Sequence, residues 1–309
     1  MSASHRFTVT ITTFNRLPDL KQTLKYMSLW LDSSNILFLI CDDGSNDGTS
    51  NFIKSTYPQI RLLRNEVSKG LIYSRNRLLN EVKTEFAISL DDDLHLVNET
   101  IIPSFTAYLD RNPNVAVLGF RIFWGEKMPD VTTTIYNSKR VQSFPGGACV
   151  IRMAAWDSVP DFPSWFIFYG EEDFLSRHLF KQNWQVHYFP KTLGHHRVDM
   201  TKRKTNADYY LRLRRSLRSG WYLYLLFYPW SMIPRRLTYT YLRQIKLKVI
   251  GGRGNLKSFL TINRALIDVF INLPRLIKQS NRFSIEEQKE YARLDEAVIY
   301  WINEDIMAD

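Results

Sequence analysis

The chain has 309 residues, 45% of them hydrophobic and 23% charged, with a net charge of +10 at pH 7. That composition excludes a disordered polymer and allows a sizeable core, either one large domain or a domain with an appendage. Two cysteines, Cys41 and Cys149, form no disulfide framework and no metal spacing, which points to a reducing compartment; residues 1–7 lack the apolar stretch of a signal peptide, so the expected location is the cytoplasm.

Phe7 to Thr12 is β-branched and alternating, as a first strand should be, and it ends in Thr13-Phe14-Asn15-Arg16. Leu17 to Leu31 carries apolar residues at helical spacing, with Pro18 tolerated in the first turn. Ile36 to Ile40 reads as a second strand running into an acidic turn, Cys41-Asp42-Asp43-Gly44-Ser45. Arg61 to Arg64 reads as a third strand, and Gly70 to Val82 as a helix bearing Arg75, Asn76 and Arg77. Phe86 to Leu90 is a fourth strand, and Asp91, Asp92 and Asp93 stand at its carboxyl end, the edge of an α/β sheet where ligands bind. Three adjacent carboxylates are costly unless a positive charge shares them, and Mg²⁺ or Mn²⁺ suits such oxygens. A solvated acidic turn is the competing explanation. Strand and helix alternate throughout, which argues a mostly parallel sheet with helices on both faces.

Thr12-Thr13-Phe14-Asn15-Arg16, Cys41-Asp42-Asp43-Gly44-Ser45 and Leu90-Asp91-Asp92-Asp93, in that order and each at a strand end, resemble the nucleotide-sugar-binding half of family 2 glycosyltransferases. The resemblance covers about the first 200 residues. It implies an α/β GT-A fold with a Rossmann-like mixed sheet, and an inverting, metal-dependent transfer of a hexosyl or deoxyhexosyl group.

Farther along, Val115 to Phe123 reads as a strand and Thr132 to Ser143 as a polar loop. Gly146 and Gly147 open the next strand, where missing side chains permit close approach of a ligand or of another strand; in the family this loop lies beside the donor sugar. Aromatic residues from Trp165 to Tyr169 then lead into Glu171-Glu172-Asp173 at the start of a helix. Acids there complement the helix dipole, but a carboxylate against aromatic walls can also have its pKa raised and accept a proton. The stretch resembles the family's Glu-Asp base motif: the order favours Asp173 as base, with Glu172 beside it. Gln185 to Phe189 reads as a strand. His195 and His196, farther on, resemble the family's C-terminal histidine, which completes the metal shell or touches the diphosphate; the sequence does not choose between them.

Residues 1–200 hold 21 basic and 21 acidic side chains, so the whole charge excess lies in residues 201–309, with 20 basic and 10 acidic. The expected organisation is a catalytic domain over 1–200 and a basic, amphipathic, mainly helical region over 201–309. Trp221 to Ile233 is too short to cross a bilayer, yet it could lie in the interface with Arg on anionic lipid, and Leu260 to Leu276 repeats the pattern. A helical extension packed on the catalytic domain is the competing explanation. No nucleic-acid motif accompanies the charge. Glu286 to Ile302 reads as a terminal helix.

Taken together, the resemblance implies a donor linked to UDP, dTDP or GDP and held by Thr13, Asn15, Arg16, Asp42 or Asp43, and Arg75 or Arg77. Asp92, Gly146, Gly147 and Glu171 complete the substrate pocket. Asp91, Asp93 and a histidine hold Mg²⁺ or Mn²⁺, and Asp173 or Glu172 deprotonates the acceptor. The acceptor would be a glycan or a lipid-linked molecule, met at an anionic membrane surface on the inner face of the cell membrane, in cell-surface polysaccharide or glycolipid synthesis. The rival readings are a sugar nucleotidyltransferase, whose Gly-rich phosphate loop is missing after the first strand, and a sugar-nucleotide or lipid-binding scaffold that has lost catalysis.

Overall fold

A computed structural model of the chain describes residues 5–33, 35–97, 102–198, 208–251 and 255–296. The first half alternates as expected: β1 (Phe7–Thr13), α1 (Leu17–Tyr26), α2 (Ser28–Leu31), β2 (Ile36–Asp42), α3 (Thr49–Thr56), β3 (Arg61–Arg64), α4 (Leu71–Glu81) and β4 (Phe86–Asp91). The helix read over Leu17–Leu31 is split at Met27, whose amide closes on the carbonyls of Thr23 and Leu24. Then follow β5 (Leu94–Leu96), α5 (Ile102–Arg111), β6 (Val115–Trp124), β7 (Lys139–Arg140), β8 (Ala148–Arg152), α6 (Met153–Trp156), α7 (Glu171–Lys181) and β9 (Gln185–His196). The C-terminal helices are α8 (Tyr209–Phe227), α9 (Ile233–Gln244), which continues as a π-helical turn over Ile245–Ile250, α10 (Leu256–Lys278) and α11 (Ile285–Ala292).

Nine strands make one sheet in the order β3-β2-β1-β4-β8-β6-β9-β5, with β7 also on β9. The β3-β2-β1-β4 half is parallel, as the alternation predicts. Beyond it the sheet is mixed, because β8 runs antiparallel to both β4 and β6 while β6 and β9 are parallel. The strand read over Gln185–Phe189 continues to His196. Its pairing to β6 jumps from Phe120–Phe189 to Arg121–Leu193, so Pro190 falls in the irregular stretch where no ladder donor is required.

Period-two alternation sends each strand's side chains to two cores. Val9, Ile11, Ile40, Phe86, Ile88 and Leu90 meet Leu20, Leu24, Phe105 and Leu109 from α1 and α5. On the other face Ala87, Val117 and Ile151 meet Leu175 and Leu179 of α7, and the same cluster runs on into Trp221, Tyr222, Leu226 and Phe227 of α8 and Ile262, Ala265 and Val269 of α10. The aromatic stretch that could have lain in a membrane interface is therefore core, each buried Leu or Phe contributing roughly 1.5–3 kcal/mol. The 200/201 boundary lies outside the described residues. So do residues 297–302 of the expected terminal helix; α11 ends at Ala292 and begins at a capping box between Ser284 and Glu287. Among the described residues no helix is long and apolar enough to cross a membrane.

Candidate active site

Phe86, Ile88 and Leu90 fill one core, so Asp91 is carried to the opposite face with Ala87, toward α4 and α7. There Arg75 of α4, 7% exposed, donates to Asp91 Oδ1 at 2.7 Å and lies 3.3 Å from Glu171 and 3.6 Å from Glu172 of α7. Ligand atoms of Asp91, Asp93 and His196 all lie within 4.8 Å of one another. Asp93 Oδ2 accepts from Arg16 at 2.7 Å, and His196 Nε2 stands 2.9 Å from Asp93 Oδ1, a buried oxygen that no other described donor meets. A buried carboxylate oxygen with a second carboxylate and an imidazole gathered around it fits a divalent cation. Burial would raise the Asp93 pKa, but His196 and Arg16 outweigh it and hold it at about 2. Asp92 goes the other way: burial lifts it to about 7 against the pull of Arg16, 3.1 Å away.

The two histidines separate because neighbours on a strand face opposite sides. His195 is turned to the Gly125 carbonyl, 2.7 Å from Nε2, and rings against His95, so of the two only His196 joins the carboxylates. Gly146 and Gly147 do allow close approach, and what approaches is acid. A Cβ on Gly146 would overlap Glu172 Oε1, and one on Gly147 would fall 2.6 Å from Asp91 Oδ2.

The three acids of α7 also divide. Glu171 and Glu172 turn inward to Arg75, and burial raises both pKa values, with Glu171 adding to the rise at Glu172. Asp173, its side chain 45% exposed, pairs instead with Arg177 one turn along at 3.1 Å. The loop that delivers them is strained: Ile167 and Tyr169 have φ of 71°, a conformation that costs a β-branched residue most. Arg218 of α8 donates to the Phe166 carbonyl at 2.5 Å and Ser219 to that of Phe168 at 3.3 Å. The C-terminal helices thus brace the acid-bearing loop. Sequence reading missed this role for Arg218 and Ser219, which nothing local marks, since their partners lie some fifty residues upstream.

The first loop differs. Asp43 accepts from Asn65, Ser68 and Ser74 side chains and from the amides of Lys69 and Gly70, at 2.6 to 2.9 Å, and these donors hold its pKa down against burial. Asp42, fully buried, takes Arg64 at 2.7 Å, the Ser45 amide at 2.8 Å and the Ser50 hydroxyl. A nucleotide contact by either carboxylate would have to displace those donors. Asn15, with φ of 52°, ties the two loops together: its amide donates to Ser45 Oγ and its Oδ1 accepts from the Asn46 amide, each at 2.9 Å. Thr13 keeps a buried Oγ1 beside Asp92 at the end of β1. Arg16 spans Asp19, Asp92 and Asp93, and Arg77 turns away to the Arg64 carbonyl and Asn65. An apolar hollow of about 730 Å³ between Phe7, Trp30, Ile36, Ile102 and Ala107 opens at the amino-terminal ends of β1 and β2, away from all these acids.

Residues 8–152 match the family model described as "Glycosyl transferase family 2". This region of the chain is similar to that family, over a little under half of the chain. No curated protein matches the chain by sequence. Among solved structures, GalNAc-T7 with UDP, GalNAc and Mn²⁺ is similar at a TM-score of 0.59 and 15% identity, over 77% of this chain and 50% of that one. TarS from S. aureus is similar at 0.59 and 16%, over 89% and 50%. The mannosyltransferase PcManGT from Pyrobaculum calidifontis, in complex with GDP-Man and Mn²⁺, is similar at 0.54 and 14%, over 93% and 78%. The chain thus spans half the length of the first two. The fold is that of the GT-A glycosyltransferases, an α/β mixed sheet with a helical C-terminal region.

Proposed function

We propose that the protein transfers a sugar from a nucleoside diphosphate to an acceptor hydroxyl with inversion at the anomeric carbon. The observation that carries this reading is the convergence, at the carboxyl edge of one sheet, of Asp91, Asp93 and His196 with the inward-turned Glu171–Glu172 pair across the Gly146–Gly147 backbone. Complexes of a similar mannosyltransferase with GDP-Man and of TarS with UDP-GlcNAc support a nucleotide-sugar donor.

In this reading the donor lies over the ends of β1 and β4, with Thr13, Asn15 and Arg16 on the nucleotide side and Gly146 and Gly147 beside the sugar. Asp91, Asp93 and His196 would hold Mn²⁺ or Mg²⁺, which supplies charge neutralisation to the departing diphosphate. Glu172 is the base: it is half-buried with a raised pKa and turned into the site, whereas Asp173 is turned to Arg177. Arg75 keeps the Glu171–Glu172 pair and Asp91 together in one rigid cluster. A single base acting opposite the leaving group inverts the centre, unlike the paired carboxylates of a retaining hydrolase. The acceptor is a glycan or a lipid-linked molecule of a cell-surface polysaccharide or glycolipid, met on the cytoplasmic side, with 1–200 as catalytic domain and 201–309 as its basic extension.

The test is turnover of UDP-, dTDP- and GDP-sugars by the full chain with Mn²⁺, with proton NMR of the anomeric signal. Nucleoside diphosphate release and an inverted product support the reading. Pyrophosphate release would establish a nucleotidyltransferase instead, and binding without any turnover a scaffold.

A further inference from the structure

The outer surface of the α9–α10 hairpin is unlike the rest of the molecule. On α10 the inward positions Ser258, Thr261, Ile262, Ala265, Asp268, Val269 and Leu276 are buried. A second apolar set occupies the outward positions at the same helical spacing: Leu256, Phe259, Leu260, Ile267, Phe270 and Ile271, the last two 63% and 71% exposed. Single exposed hydrophobic residues are ordinary, but a stripe kept in register along a 23-residue helix is not. The other arm repeats it. Ile233, Leu237, Tyr241 and Ile245 pack inward, while Tyr239, Leu242, Leu247 and Ile250 face out, Ile250 at 72%.

Charge decides what covers this surface. Arg235, Arg236, Arg243, Lys246, Lys257, Arg264, Arg275 and Lys278 are all exposed on the two arms. Between Tyr209 and Arg282 the sole acid is Asp268, which is buried and paired with Arg214 at 2.5 Å. A surface on which every exposed charge is positive and the apolar side chains lie between the bases repels a second copy of itself and matches a layer of anionic headgroups over hydrocarbon. Neither arm crosses a bilayer.

We propose that the outward faces of α9, its π-helical continuation and α10 form a seat for an anionic lipid bilayer, on which the hairpin lies with its apolar stripe at the headgroup–acyl boundary and its bases on lipid phosphates. The seat is joined to the acid-bearing loop through α8: Trp221 donates to Thr240 of α9 at 2.9 Å, Asn272 of α10 donates to Tyr222 at 2.9 Å, and Arg218 and Ser219 hold the loop before Glu171. Seating therefore brings the base side of the site to the membrane, where a lipid-borne acceptor would be met. This deepens the transferase reading and rests on it for the acceptor alone.

The experiment is co-sedimentation of the full chain with phosphatidylcholine vesicles, with and without phosphatidylglycerol. The expected result is binding to anionic vesicles only, weakened by salt. F270S/I271S should lower the partition coefficient at least tenfold. The triple variant K257Q/R264Q/R275Q should lower it on the order of 100-fold, at about fivefold per base. Both variants alter exposed side chains, and an unchanged circular dichroism melt confirms their fold. Lack of binding by the wild type, or equal binding of wild type and both variants, overturns the proposal. So does a wild-type dimer in light scattering that F270S/I271S dissociates, which would assign the stripe to a second copy. Donor turnover without lipid is measured separately, so failure of the transferase reading and failure of the membrane seat give different results.

Discussion

Two acidic clusters flank β1 at one edge of the sheet, Asp42–Asp43 at the end of β2 and Asp91–Asp93 at the end of β4, and they are satisfied to different extents. Asp43 is saturated by five donors, all neutral hydroxyl, amide and backbone groups. Asp91 and Asp93 are shared by Arg75, Arg16 and His196, and one buried Asp93 oxygen meets no described donor besides the His196 imidazole. The same residue type at the same topological position therefore does two jobs. Carboxylates filled by donors, Asp43 by neutral groups and Asp42 by Arg64 with Ser45 and Ser50, fix a loop, whereas carboxylates left incomplete are ready for a further cation and for chemistry.

The contrast breaks most visibly at the base. Glu172→Gln should lower kcat by about 10²–10⁴-fold with donor affinity kept, while Asp173→Asn, altering a half-exposed partner of Arg177, should stay within about tenfold of wild type; steady-state kinetics and calorimetric donor titration separate the two. A reversal of these outcomes would return the base to Asp173.

Stability sharpens the same contrast. Asp43→Ala orphans several buried donors and should lower the unfolding free energy by roughly 2–4 kcal/mol. Asp91→Asn relieves like-charge crowding while leaving Arg75 its two glutamates, and should change stability by less than about 1 kcal/mol. Urea denaturation measures both, and equal losses would erase the distinction between the clusters.

A further effect, spread over a span of pH, concerns His178. Burial, helped by Lys181, lowers the His178 pKa to about 4, so the folded state holds it neutral. Between the unfolded value near 6.5 and about 4, the unfolded chain binds the extra proton, and stability falls as pH drops, by at most about 1.4 kcal/mol per unit for this group. His178→Gln should flatten the pH dependence of the melting temperature in that window, and an unchanged slope would assign the acid sensitivity elsewhere.

Much of this was legible in the sequence because it is local. β-branched alternation marked β1 and short apolar runs marked β2 and β4, and the carboxylates at strand ends followed from where those runs stop. The glycine pair announced a close approach, though not that Asp91 and Glu172 are what approach. Other features depend on contacts distant in sequence. His195 and His196 could be told apart only once β9 was seen to run through Pro190, which fixes which side each faces. Glu172 and Asp173 are adjacent and chemically alike, and only the buried Arg75 distinguishes them. The aromatic run Trp221–Tyr228 has a composition equally suited to a membrane interface and to a core; its burial against α7 and α10 follows from tertiary packing that no local pattern encodes.

The central claim, that the incomplete carboxylates at the end of β4 take the cation and through it the nucleotide, is tested most directly by calorimetric titration of the donor's nucleoside diphosphate with Mn²⁺ or with a chelator. Wild type should bind at least about tenfold more tightly with Mn²⁺, and Asp93→Asn should lose that gain while keeping a cooperative melt above the titration temperature. Retention of the full Mn²⁺ effect in Asp93→Asn would contradict the account.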